Sequence, residues 1–97
     1  MKRQKTKTRI WDAAEYVTSD KDAAAYLEAA LEADDPALFS AALGDIARAR
    51  GMTQIARETG LGRASLYKAL SAGGKPEFST VFRVIRSLGL KLHAKAG

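Results

Sequence analysis

Two short stretches with helical apolar spacing, MTQIARET and RASLYKAL, are separated only by Gly60-Leu61-Gly62. A connection this short obliges the two helices to cross close to one another. Ile55 and Ala56 are the inward positions of the first helix, and Leu66, Ala69 and Leu70 those of the second. Gly60 supplies the left-handed backbone that a tight turn needs. Leu61 plugs the turn into the core, and the small Ala56 lets the second helix pass close by. What is left facing outward is Arg63, Ala64, Ser65, Tyr67 and Lys68. The outward, N-terminal part of such a second helix is the part that enters a DNA major groove.

Two other chemistries fit the same residues less well. A dinucleotide loop needs a strand before its glycines, and QIARET has a helical pattern with no β-branched run. Ser65 and Lys68 have the spacing of a Ser-x-x-Lys nucleophile pair. The Ser-Asp-Asn and Lys-Thr-Gly motifs that accompany such a pair are both missing. As a DNA reader, Arg63 is placed to pair with guanine O6 and N7, and Ser65 with either base type. Tyr67 and Lys68 suit phosphates or a base edge. Thr53, Gln54 and the start of the first helix are placed to clamp a phosphate.

The rest of the chain reads as further helices. SDKDAAAYLEAALEADD carries a cap at Ser19 or Asp20 and an apolar stripe of Ala23, Tyr26, Leu27, Ala30 and Leu31. In DDPALFSAALGDIARARG, Asp35 caps, Pro36 takes the first helical position, and Gly51 closes. Leu38, Ala42, Leu43, Ile46 and Ala49 are its expected buried stripe. Thr53 is the expected cap of the next helix, and Gly73 or Gly74 the expected end of RASLYKAL. After the turn KPEF, Ser79 is expected to cap a helix that packs Val81, Val84, Ile85 and Leu88 and stops at Gly89. LKLHA alternates apolar and polar residues and is a candidate short strand, able to pair with a second copy across a dyad. The expected fold is all-α, a bundle of about five helices with that one strand at most.

With 97 residues the chain is one small domain's worth. The sequence contains no cysteine, which excludes disulfides and thiolate metal sites and suits a cytosolic home. No run approaches the ~20 apolar residues of a membrane span. His93 is the sole histidine, without a ligand cluster around it, so no metal and no cofactor is expected. Asp34-Asp35 reads as a helix cap before Pro36 rather than a catalytic carboxylate pair.

The net charge of +5 is distributed in blocks. Residues 1–9 hold five Lys/Arg and no acid; residues 10–47 hold nine acids against the single Lys21; residues 48–97 hold ten Lys/Arg against Glu58 and Glu77. The reading that follows is a flexible basic arm (1–9), an acidic N-terminal segment (10–34) and a helix-turn-helix domain (35–97). Such asymmetry suggests one basic and one polyanionic partner. Within the acidic segment, Trp11 and Tyr16 lie among Asp12 and Glu15, as aromatic anchors of an interface often do. They serve equally well as packing residues in this chain's own core or at a dimer contact.

The stretches LGDIARARGMTQIARETGLGRASLYKALS, FSTVFRVIRSLGLKLHA and AYLEAALEADDPALFSAALGDIARARG resemble the addiction-module antidote proteins. These are small antitoxins of the HigA type with a lambda-repressor-like helix-turn-helix, and the resemblance runs through nearly the whole chain after Ile10. It implies an antitoxin that binds and neutralises a small basic ribonuclease toxin of the RelE/HigB-like superfamily. It also implies autorepression of the operon, with no catalytic residues. The family's recognition helix falls on Arg63 to Leu70, and Gly62 stands where a serine cap is expected. The toxin-facing residues would be Ile10, Trp11, Asp12, Glu15 and Tyr16, and operator DNA would be met by a homodimer on a palindromic site. A stand-alone phage-type regulator, and a protein-interaction module that no longer binds DNA, are the other readings.

Overall fold

The computed structural model describes residues 19–71 and 73–97. Five helices follow one another: α1 (Asp20–Glu32), α2 (Pro36–Arg50), α3 (Met52–Thr59), α4 (Arg63–Ala69) and α5 (Phe78–Ser87). The fold is all-α, as the sequence leads one to expect. No strand occurs among the described residues, and LKLHA runs as an exposed tail without regular structure apart from the half-buried Leu90. Alternation over so few residues cannot hold a strand with no neighbouring strand to pair with.

The first two helices start as their caps dictate. The Ser19 hydroxyl accepts from the Asp22 N–H at 3.1 Å, with Asp20 and Asp22 in the first turn, where negative charge suits the helix dipole. Asp35 Oδ1 accepts from the N–H groups of Ala37 at 3.0 Å and Leu38 at 3.4 Å, and Pro36 opens α2. Gly51 alone joins α2 to α3, so α3 begins at Met52 rather than behind a Thr53 cap. Thr53 is an exposed residue inside the helix. Ser79 likewise is not a cap: α5 begins at Phe78 behind the extended Glu77. α4 stops at Ala69, short of Gly73 and Gly74. The Ser71 hydroxyl donates to the Lys68 carbonyl at 2.9 Å, capturing an acceptor that a longer helix would use.

One core holds the five helices together. Leu43, Ile46, Ile55, Leu66, Leu70, Val84, Ile85 and Leu88 are its fully buried large side chains, and Ala23, Leu27 and Ala30 of α1 belong to it. Each large apolar side chain so buried contributes about 1.5–3 kcal/mol. α2 is the central element, buried along Ala42–Ala47. Its face is turned from the expected one: Leu38 and Ala49 are exposed, while Ala47 and Asp45 are buried. Leu31 of α1 is also exposed. Helices packing on more than one side of α2 widen its buried surface beyond a single stripe.

Gly44 sits where α2 meets the end of α4. A Cβ built on it would lie 2.1 Å from the Leu70 carbonyl oxygen, so only glycine admits this approach. One residue on, the buried Asp45 accepts from the Tyr26 hydroxyl at 2.8 Å and pairs with Arg48 at 2.6 Å. A carboxylate this deep is costly unless paired in this way. Arg50 closes the far end, ion-paired with Asp20 and donating to the Leu88 carbonyl at 3.2 Å.

Two substitutions test these contacts. Gly44→Ala is expected to cost at least about 1–3 kcal/mol through overpacking against backbone, read as a lower denaturation midpoint at an unchanged slope. Tyr26→Phe leaves the Asp45 carboxylate with one donor fewer, and is expected to cost about 1–3 kcal/mol in the same measurement.

Candidate nucleic-acid interface

α3 and α4 form the helix-turn-helix. α3 ends at Gly60, whose φ of 77° and ψ of 13° are the left-handed values that the sequence assigns to it. The Gly60 N–H donates to the Ala56 carbonyl at 2.9 Å. Thr59 ties the turn together: its hydroxyl donates to the Ile55 carbonyl at 2.7 Å and accepts from the Leu61 N–H at 3.3 Å. Leu61 and Ala56 are half-buried against the core. Gly62 precedes α4 in extended conformation, and no side chain caps the helix. From α5, Arg83 reaches back and donates to the Thr59 carbonyl at 3.4 Å.

Leu66 and Leu70 anchor α4, both essentially inaccessible to water. Between and around them, Arg63, Ala64, Ser65, Tyr67 and Lys68 are all exposed. The structure therefore brings together on one helix the five residues singled out there. Thr53 and Gln54 are exposed on α3. The Gln54 carboxamide donates to the Glu58 carboxylate at 3.0 Å, which sets its orientation along α3. Ile10, Trp11, Asp12, Glu15 and Tyr16 lie outside the described residues.

Two features of this surface went unread in the sequence. The Arg63 guanidinium lies over the Tyr67 ring, 5.7 Å from its centroid. Such a contact contributes about 0.5–1 kcal/mol at an exposed site and holds the arginine fork away from other rotamers. The spacing of four residues on a helix was its available signal. The Arg83 contact with Thr59 joins residues 24 apart, and no local pattern announces it.

The surface is open and carries no catalytic arrangement: Ser65 and Lys68 are neighbours on the exposed side of a short helix. Among the described residues, no group of three or more His, Asp or Glu could hold a metal ion. His93 is exposed in the C-terminal tail. Among the same residues no helix is long and apolar enough to cross a membrane.

A family model described as "Probable addiction module antidote protein" matches residues 7–96. A protein of Haemophilus influenzae, described as "Uncharacterized protein", is 47 % identical over 85 residues, which covers 88 % of each chain. No solved structure matches. With the match spanning nearly the whole sequence, the chain belongs to the family of addiction-module antidote proteins.

Proposed function

We propose that this antidote neutralises a small basic ribonuclease toxin of the RelE/HigB-like class by direct binding, and represses its own operon by binding operator DNA. The observation that carries the DNA half is the exposed row on α4: Arg63, Ala64, Ser65, Tyr67 and Lys68, held outward by the buried Leu66 and Leu70. Arg63, stacked on Tyr67, presents a planar fork suited to guanine O6 and N7. Lys68 offers a point charge to a phosphate, and Ser65 a hydroxyl to a base edge. Thr53 and the first turn of α3 supply phosphate contacts from the other half of the motif. The protein acts in the cytoplasm, as a homodimer on a palindromic site.

The toxin half rests on family membership and on charge. α1 exposes Asp20, Asp22, Glu28 and Glu32 against Lys21, a surface suited to a basic protein. On this reading residues 10–34 meet the toxin, through Ile10, Asp12 and Glu15 with Trp11 and Tyr16 as aromatic anchors, and residues 35–97 meet DNA. The mechanism in both halves is steric occupation, and no bond is made or broken.

Titration of the chain against its own promoter fragment tests the DNA half. Affinity is expected to fall steeply with salt, since each neutralised phosphate releases counterions. The double substitution Arg63→Glu, Lys68→Glu is expected to abolish specific binding while leaving the helical circular-dichroism spectrum intact. Unchanged affinity would mean that α4 is not the reading helix. Co-expression with the product of the adjacent reading frame tests the other half: a basic partner of toxin size should co-purify. If operator binding holds and no partner co-purifies, the chain is a stand-alone regulator.

A further inference from the structure

Leu31 and Leu38 fit the apolar stripes of α1 and α2, yet they are 49 % and 46 % exposed. They flank the same corner, where α1 ends and Asp35 caps α2. At that corner lies an open hollow of about 260 Å³, lined by Ala30, Leu31, Asp34, Asp35, Pro36 and Phe39. Its lining is apolar apart from the two carboxylates. Asp35 uses one oxygen to cap α2. The Asp34 side chain enters no hydrogen bond or ion pair among the described residues. Asp34 also holds a φ of 55°, a left-handed value that glycine adopts more easily. An acid thus stands where the backbone favours glycine. Glu28 and Glu32 are exposed on α1 before it, and from Asp22 to Ala47 the sequence has no lysine or arginine.

We propose that this corner docks a basic protein, with one lysine or arginine of that protein seated in the hollow. The aliphatic stem covers Leu31, Pro36 and Phe39, and the charged head pairs with Asp34. Exposed leucines among acids match a partner that sets cations around an apolar patch. The proposal rests on the toxin reading, and it carries the toxin surface past residue 34 into the first turn of α2.

Charge and shape argue against other occupants. A polyanion meets only carboxylates here. Residues 1–9 are basic, but Met1 is their one large apolar side chain, so they offer the leucines little to pack against. A second copy bringing cations from α4 or α5 joins two unlike surfaces, and such a contact grows into rings or filaments. The corner is also remote from the DNA-facing half of the motif. α3 begins at the opposite end of α2, about 20 Å away at a helical rise of 1.5 Å per residue. Exposed charges so far apart are screened from one another.

Titration calorimetry of the full chain with the purified product of the adjacent reading frame is the experiment. Asp34→Gly suits the backbone and removes the charge, and it should raise the dissociation constant roughly 10-fold. Leu31→Ser with Leu38→Ser should raise it roughly 100-fold, the size of a lost hot spot, with an unchanged far-UV spectrum. Should the leucine changes lower helicity, Asp34→Gly alone decides. Glu77→Gln, an exposed acid at the start of α5, should leave the affinity unchanged. Wild-type binding that survives both corner changes overturns the docking site and leaves the toxin reading standing. A wild type that does not bind overturns both. Equal weakening by Glu77→Gln and Asp34→Gly reveals general charge attraction and overturns the site. Self-association that the leucine changes abolish gives the corner to a second copy, and overturns it too.

Discussion

The contact between Gly44 and the Leu70 carbonyl fixes where α4 stands. α4 has only two turns and could not hold a direction by itself. It is located by Leu66 and Leu70 in the core and by backbone meeting backbone at Gly44. A contact without side chains has no rotamers to relax through, so the exposed face of α4 inherits the position of α2. The turn before α4 is fixed as tightly. Thr59 bonds to both sides of it, and Arg83 ties the end of α3 to α5. The direction in which Arg63 and Lys68 point is thus a property of the core.

The acidic first helix is joined to this core by polar contacts as well as apolar ones. Ala23, Leu27 and Ala30 contribute the apolar part. Tyr26 reaches the buried Asp45, and Asp20 pairs with Arg50, which also holds the carbonyl at the end of α5. Asp45 is the costly member. An unpaired carboxylate at 3 % exposure would be unfavourable, and both Tyr26 and Arg48 are needed to offset its desolvation. The two hydrogen bonds are directional, so they define how α1 is seated where apolar packing alone would tolerate a shift.

Much of this was legible in the sequence because it is encoded locally. Asp35-Pro36 announces the start of α2 by cap and fixed φ, and Gly60 announces the turn by its freedom to adopt positive φ. Val81, Val84, Ile85 and Leu88 announce the buried face of α5 by their period. What was not legible depends on partners distant in sequence. Leu31, Leu38 and Ala49 fit a helical stripe and are exposed all the same, because the burial of α2 is set by which helices reach it. Thr53 and Ser79 are good capping residues that do not cap; Gly51 and Glu77 each take the cap position two residues earlier. Nothing local in the sequence marks the role of Gly44, which only the approach of Leu70 explains. Of the candidate site, the exposed row on α4 followed from periodicity, whereas Arg83 could be found only once α5 was seen beside α3.

The exposed chemistry of the chain divides by helix. α4 presents Arg63, Tyr67 and Lys68, α5 presents Phe78, Phe82 and Arg86, and α1 presents Asp20, Asp22, Glu28 and Glu32. At physiological salt, exposed charges are screened over about 8 Å, so patches on separate helices act largely independently. The net charge of +5 is then a poor guide to what any one face attracts. Had the same surplus been spread evenly, a polyanion would meet favourable charge from every side and find no orientation. With acids gathered on α1, approach by that face is repelled and approach by α4 is favoured. The acids on α1 thereby turn the α4 face, rather than the α1 face, towards any polyanion.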